Sequence, residues 1–297
     1  MKHFTLDTLL SLKDLENQEF ISQFKGKKLY GLIGNPVSKS ISHITHNQVF
    51  EKLNFPGIFF RIHLEEVELS QALDLLHIIG FEVVAVTMPF KEKVLPFLLN
   101  QPVEGSVNTL IRNKEGFTGI NTDALAIEKL LSNYFNPSIS ASILGAGGTA
   151  KAAAYILHKH RIPFTFYNRS LDKGRKLAYL FNTSCKALED FYCPKSAHII
   201  INTTSVGMEP DIDKCPIKLE KIEKNAIIFD AIYRPYKTQL IEYAEKLNLQ
   251  VILGFDMFTM QAMFQLKLML GICFDEKEFF AIFSACQTNK FSHYSAL

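Results

Sequence analysis

Residues 143–151 read Ile-Leu-Gly-Ala-Gly-Gly-Thr-Ala-Lys, set between an apolar, strand-like run and a stretch of helix formers. A turn of this kind joins the first strand of a dinucleotide-binding βαβ unit to its helix, and the rest of the chain is read from it. Gly145 permits the tight turn, and Gly147 lets a pyrophosphate approach bare backbone. Ala150 stands where a third glycine is usual and still allows helix and strand to pack closely. A helix over 148–160 would aim its unpaired N–H groups and positive dipole end at the anion. That makes Gly145, Ala146, Gly147, Gly148, Thr149 and Ala150 the candidate phosphate-binding residues. A small-residue turn ahead of a buried helix fits the same pattern on packing grounds alone, so the motif needs its context.

The context is an alternation of strands and helices. After the turn, strands are expected at 142–144, 164–167, 199–202, 227–230 and 251–253, with helices including 171–180 and 238–247 between them. Before it, strands are expected at 29–33, 58–63 and 83–87 and helices at 43–53, 66–79 and 90–99. A hairpin over 110–120 turns about Lys114-Glu115-Gly116. This implies an α/β fold in two domains: an N-terminal α/β domain with a mostly parallel sheet and a Rossmann-type dinucleotide-binding domain. The expected bounds are 29–123 with 255–297 for the first and 124–254 for the second, with 1–28 a helical extension.

The totals narrow the function classes. The chain has 297 residues, 47% of them hydrophobic and 21% charged, enough for two soluble domains with real cores. A net charge of +2 without a like-charge block gives no argument for nucleic acid. The five cysteines, Cys185, Cys193, Cys215, Cys273 and Cys286, form no CxxC pair, which points to reduced thiols and a cytoplasmic protein. Residues 1–24 mix acidic with apolar side chains, unlike a secretory signal. The apolar stretch 255–274 holds Asp256, Gln261 and Lys267, so a buried helix is expected there and no membrane span. His43 and His46 have helical spacing, but no cysteine or carboxylate clearly completes a metal site, and no metal is expected. No heptad is visible, which leaves monomer and homodimer both open.

The second strand of the βαβ unit ends Tyr167-Asn168-Arg169-Ser170, with Lys173 a turn later. NAD is held by an acidic residue at this strand end, and none stands there. Arg169 and Lys173 instead offer positive charge to a ribose 2′-phosphate, Arg in planar bidentate form. NADP is therefore the expected cofactor, with Asn168, Arg169, Ser170 and Lys173 beside the phosphate. Asp172 is the residue that works against this, and ordinary solvated charges are the plain alternative.

In the first half, apolar runs end repeatedly in small polar or charged groups: Ser40 and Ser42, Thr87 and Lys91, Asn108 and Thr109, and Asn121-Thr122-Asp123. Ligands of open α/β sheets gather outside the carboxyl ends of strands. A lysine and an aspartate among such donors suit proton transfer to a substrate oxygen, although a free ammonium with a pKa of about 10.4 is a poor base. Each has a plainer reading: Ser42 and Asp123 as helix N-caps, Lys91 as a solvated lysine.

Taken in order, these residues resemble the shikimate dehydrogenase family from residue 29 to the final helices. Gly34-Asn35-Pro36-Val37-Ser38-Lys39-Ser40-Ile41-Ser42 is similar to its substrate-carboxylate loop, and Thr87-Met88-Pro89-Phe90-Lys91 to its TxPxK motif. Val107-Asn108-Thr109, Gly119-Ile120-Asn121-Thr122-Asp123, Asn202-Thr203-Thr204-Ser205-Val206-Gly207 and Asp230-Ala231-Ile232-Tyr233-Arg234-Pro235 resemble further signatures. The resemblance implies NADP-dependent reduction of 3-dehydroshikimate to shikimate. It implies Lys91 and Asp123 as the catalytic pair and Ser40, Ser42, Thr87, Asn108, Tyr233 and Gln261 as substrate ligands. Ala231 and Gly254 would line the nicotinamide end. A quinate or broad-specificity dehydrogenase, and a ligand-sensing module on the same scaffold, are the alternatives. Lys39, His43, Ala85, Ala126 and Asp256 depart from the family pattern, Asp256 by placing a carboxylate near the nicotinamide.

Overall fold

The computed structural model describes residues 3–13, 24–38, 40–272, 277, 279–281 and 283, so Lys39, Cys273 and Cys286 lie outside the described residues. Contacts divide the chain into two units, 1–122 with 262–297 and 123–261.

The first unit runs β1 (His3–Phe4), α1 (Leu6–Lys13), β2 (Lys28–Gly34), α2 (Ser42–Lys52), β3 (Gly57–His63), α3 (Leu69–Ile79), β4 (Phe81–Val86), α4 (Phe90–Lys93), β5 (Thr109–Arg112) and β6 (Phe117–Ile120). Its sheet has the order β1-β3-β2-β4-β5-β6. The first four strands pair in parallel, and the expected hairpin closes the edge antiparallel, with Thr109 opposite Ala85 and Ile120. Residues 3–13, expected as part of a helical extension, instead begin with a strand on the far edge of the sheet. Phe4 stacks on Phe60 at 4.3 Å, and Leu9 is fully buried, so this segment belongs to the core. A two-residue strand leaves no period to read. The helix expected over 90–99 also stops early, at Lys93, and gives way to a 3-10 turn over Leu95–Phe97. Pro96 explains this, since its ring has no N–H and clashes with the carbonyl four residues back.

A helix α5 (Thr122–Leu131) leads into the second unit. There follow β7 (Ser140–Leu144), α6 (Gly148–Lys159), β8 (Phe164–Asn168), α7 (Leu171–Leu180), β9 (Ser184–Ala187), β10 (His198–Asn202), β11 (Ala226–Asp230), α8 (Gln239–Lys246), β12 (Gln250–Ile252) and α9 (Gly254–Leu270). The six strands are all parallel in the order β12-β11-β10-β7-β8-β9, which is the doubly wound order of dinucleotide-binding domains. All five residues of β10 and of β11 are buried, as a parallel sheet covered by helices on both faces requires. The C-terminal part of α9 belongs to the first unit, where Tyr30 of β2 donates its hydroxyl to the Met269 carbonyl at 2.7 Å. No described helix is long and apolar enough to cross a membrane.

One buried side chain binds two strands of the second sheet together. The ring nitrogens of His198 on β10 lie 2.7 Å from the Ser140 hydroxyl and 2.8 Å from the Ser142 hydroxyl, both on β7. Burial pushes the imidazole down to about 4. Between that value and its ordinary one, the unfolded chain binds the proton and the folded chain does not, so stability from the neutral ring is lost as pH falls from about 6.5 towards 4. We expect the unfolding free energy of the parent to rise relative to that of His198→Asn by on the order of 2 kcal/mol from pH 4 to pH 7. Urea titrations across that range measure it, and a pH-independent difference would count against the neutral ring.

Candidate functional site

In the first unit, sheet topology gathers the expected polar residues at one edge. β2, β4 and β6 all end there, and β5, running the other way, begins there. Ser40 and Ser42 follow β2, Thr87 and Lys91 follow β4, Asn108 precedes β5, and Thr122 follows β6, while Asp123, the next residue, opens the second unit.

The serine loop is held by its own bonds. The Ser40 hydroxyl donates to the Ser42 hydroxyl at 3.2 Å and accepts from the Ser42 N–H at 3.3 Å. Two hydroxyls this close can donate to the two oxygens of one carboxylate. Ser42 is not an N-cap: it is the first residue of α2, and Ile41 precedes it without a side-chain cap. The segment 87–91 is equally fixed. The Thr87 N–H donates to the Ile33 carbonyl at 3.0 Å, Phe90 N–H to the Thr87 carbonyl at 2.9 Å, and Val107 N–H to the Lys91 carbonyl at 2.8 Å. A side chain at Gly34 would run into the Thr87 methyl, so this glycine allows β2 and the lysine segment to approach. Lys91 itself is half-buried on α4.

Asn108 is buried and its amide orientation is determined. Its Oδ1 accepts from the Thr122 N–H at 2.7 Å and from the Thr109 hydroxyl at 3.0 Å. A backbone N–H can only donate, so the oxygen must face Thr122 and Nδ2 is the donor end. Asn121 is anchored beside it by bonds from its Nδ2 to the Ser106 carbonyl and hydroxyl at 2.9 and 3.0 Å. Asp123 is buried in the first turn of α5, two residues inside the N-cap position, which Asn121 holds.

The second unit presents the glycine turn where the strand order reverses, between β7 and β10. Gly145 has φ +109°, a left-handed conformation that suits glycine, and a side chain there would come within 2.6 Å of the Thr203 hydroxyl. Thr203 is fixed to β7 by bonds from its N–H and hydroxyl to the Leu144 carbonyl at 2.9 and 2.7 Å. Gly147 precedes α6 and has nothing within 4 Å of the place a Cβ would occupy, which leaves its backbone open to a ligand. α6 has neither a side-chain cap nor an acidic residue in its first turn, so its dipole end is not neutralised from within. Ala150 is fully buried, as close helix–strand packing requires, while Gly148 and Thr149 are half-buried.

At the end of β8, Asn168 Nδ2 donates to the Ser170 carbonyl at 2.7 Å and shapes the turn into α7. Arg169, Asp172 and Lys173 are exposed. Among the described residues, Asp172 forms no ion pair with Arg169 or Lys173, so both positive charges stand unneutralised beside the turn.

A buried network shapes the loops after β10 and β11. Asn202 donates to Asp230 Oδ1 at 3.0 Å and accepts from the Thr204 N–H and hydroxyl at 3.0 and 2.8 Å. Asp230 also accepts from the Ile232 N–H at 3.0 Å and the Thr238 hydroxyl at 2.6 Å. Ala231 N–H donates to the Asn202 carbonyl at 2.9 Å, and the Tyr233 ring stacks on Phe258 at 4.8 Å. Burial pushes the Tyr233 hydroxyl up. Gly254 sits so close to the Ala231 and Ile232 backbone that any side chain would meet the Ile232 carbonyl. Gln261 is buried, and its Nε2 donates to the Phe258 carbonyl at 2.9 Å, one turn back on its own helix.

Most departures have local accounts. Ala85 and Ala126 fill buried positions. The Asp256 carboxylate turns back to accept from the Leu253 N–H at 3.0 Å, which makes it a cap for α9. Sequence reading gave the buried Asn202 no role of its own within its signature and passed over the buried Gln265. Gln265 lies one turn after Gln261 on α9 and donates to the Thr109 hydroxyl at 2.9 Å and the Asn108 carbonyl at 3.3 Å. An amide repeated at i+4 in an otherwise apolar helix was the signal for it.

Comparison with known proteins follows the same lines. The family described as "Shikimate dehydrogenase substrate binding domain" matches residues 32–110. The NADP(+) shikimate dehydrogenase of Caldanaerobacter subterraneus subsp. tengcongensis is 33% identical over 263 residues, 84% of this chain and 94% of its own. That of Bacillus subtilis is 32% identical over 82% of this chain and 92% of its own. The shikimate 5-dehydrogenase of Thermus thermophilus, solved in complex with NADP(H) and shikimate, has a TM-score of 0.76. It is 26% identical and covers 87% of this chain and 99% of its own.

The Asp230 network also yields a pH test. Burial pushes the Asp230 carboxyl up to about 6, against the pull of its three hydrogen bonds. Here the folded chain holds the proton more tightly than the unfolded one, so the stability contributed is greatest at low pH and is lost as pH rises through about 6. The parent should therefore lose stability relative to Asp230→Asn by on the order of 2 kcal/mol between pH 4 and pH 7, the opposite slope to that at His198. Equal slopes for parent and variant would refute the assignment.

Proposed function

The chain belongs to the shikimate dehydrogenase family, and on that premise we propose that it interconverts 3-dehydroshikimate and shikimate with NADPH as the hydride donor. The observation that carries this reading is the gathering of the paired serines, Thr87, Lys91 and Asn108 at one sheet edge of the first unit. Most of the proposed substrate ligands belong to the first unit and the proposed cofactor residues to the second, and the enzyme works in the cytoplasm as a monomer or homodimer.

The residues of the second unit fit NADP. The open backbone at Gly147 and the uncapped start of α6 suit a pyrophosphate, and the unneutralised Arg169 and Lys173 suit a 2′-phosphate. Bound NADPH supplies the hydride. Ser40 and Ser42 donate to the substrate carboxylate, and Thr87, Asn108, Tyr233 and Gln261 fix the ring hydroxyls. The oxygen of the reduced carbonyl gains negative charge and must be protonated. Lys91 Nζ delivers that proton, with Asp123 orienting the ammonium and balancing its charge. Ala231 and Gly254 keep the approach to the nicotinamide narrow, since no side chain fits at 254.

Three measurements test this. Lys91→Ala should lower kcat by roughly 10²–10⁴-fold while leaving NADPH affinity within about threefold, as loss of a proton donor does. Near-normal turnover in that variant would remove Lys91 from the chemistry. Arg169→Ala should cut the NADPH-over-NADH preference by about tenfold or more, since a charge-assisted bond contributes roughly 1.5–3 kcal/mol. An unchanged preference would defeat the phosphate assignment. Absorbance assays with shikimate and quinate, each against NADP and NAD, should show the fastest turnover with shikimate and NADP. Equal rates with quinate would make the enzyme a broad-specificity one, and no turnover with either acid would leave a ligand-sensing module.

A further inference from the structure

His46 and Gln265 are buried polar residues that the proposed reaction leaves without a task. His46 on α2 is fully buried, and its Nδ1 lies 2.8 Å from the Ser42 carbonyl. A carbonyl only accepts, so Nδ1 carries the proton and holds the backbone of the second serine. The ring is tilted against Phe59 at 4.5 Å, and its Nε2 makes no hydrogen bond. Burial pushes the imidazole down to about 4, opposed by the Ser42 carbonyl and the neighbouring Gln265 side chain, which keeps the ring neutral at ordinary pH.

Gln265 reaches the same region from α9. Its Nε2 donates to the Thr109 hydroxyl at 2.9 Å and to the Asn108 carbonyl at 3.3 Å. Thr109 passes the constraint on, because its hydroxyl donates to Asn108 Oδ1 at 3.0 Å. Gln265 therefore holds the backbone of Asn108 directly and its side chain through Thr109. A buried amide costs free energy that an apolar side chain of the same length would not. Its two Nε2 bonds go to Asn108 itself and to Thr109, which bonds the Asn108 amide.

We propose that Gln265 is a positioning residue for substrate: through the Asn108 carbonyl and the Thr109 hydroxyl it sets the Asn108 amide from behind. The inference rests on the reading of Asn108 as a substrate ligand. It places a determinant of acid binding on α9 behind the residues that touch the substrate, and it leaves the cofactor unit untouched.

Gln265→Met keeps length and burial but removes the amide, and Thr109→Val removes the hydroxyl that links Gln265 to Asn108. Both should raise KM for shikimate by about tenfold while kcat and the KM for NADPH stay within about threefold, the signature of lost ground-state positioning. Thermal midpoints should stay near the parent's. If Gln265→Met does not fold, Thr109→Val carries the test by itself. Unchanged KM for shikimate in Thr109→Val, or KM values for shikimate and NADPH that rise together, would overturn the proposal. A parent enzyme that does not turn over shikimate would defeat the functional reading and this inference with it, and that result needs no variant to be seen.

Discussion

Parallel pairing of strands is the constraint on which both units depend. A parallel strand can follow its neighbour only after a crossover, so the carboxyl ends of β2, β3 and β4, and of all six strands from β7 to β12, must emerge on the same edge of their sheet. Every residue assigned to substrate or cofactor lies on, or just beyond, such an end, apart from Asn108, Asp123, Gln261 and Lys173. Asn108 reaches the edge because β5 runs antiparallel and begins where β4 stops. In the second unit the order also reverses between β7 and β10, which leaves the Gly145 turn and the Thr203 loop facing each other with no strand between. The geometry that makes Gly145 necessary is thus a property of the strand order as much as of the turn.

Loops at such an edge would be mobile without internal ties, and here the ties are buried polar side chains. Asn108 joins β5 to the start of α5, and Asp230 joins β11 to the β10 loop and to the cap of α8. Each exchanges desolvation for several hydrogen bonds of fixed direction. For Asp230 the exchange is incomplete, since three bonds to the carboxylate do not restore an ordinary pKa. Apolar residues would fill these positions more cheaply but could not set the direction of a backbone. Definite loop geometry is therefore obtained at some expense of stability, as is common near ligand sites.

The sequence made the repeating part of this fold legible. Buried runs such as 198–202 and 226–230 are continuous in apolar residues, and α7 and the hairpin about 114–116 stand where their patterns lie. The edge strands β1 and β9 were not legible, because His3–Phe4 is too short for a period and Ser184–Ala187 is half exposed. For the candidate site, motifs gave residue identities but not their ties. Nothing in Asn202 or Gln265 taken singly distinguishes a buried hydrogen-bonding hub from a surface amide. Their partners lie 28 and 156 residues away in sequence. Asp256 shows the converse, since its charge suggested a conflict that the direction of its side chain removes.

The start of α9 shows how such a departure is accommodated. The Ile232 carbonyl lies where a Cβ at 254 would stand, so that position must be glycine, the residue least favourable to a helix after proline. A helix beginning on glycine has no side chain there to reach its first N–H groups. Asp256 supplies the missing acceptor from inside the first turn, and an acidic group at a helix N-terminus contributes on the order of 0.5 to 1 kcal/mol. Burial raises its pKa, and the bond from the Leu253 N–H, which lowers it, holds the carboxylate against backbone. The close approach at Gly254 and the acid at 256 are one local solution: the first admits only glycine, and the second stabilises the helix that this glycine would weaken.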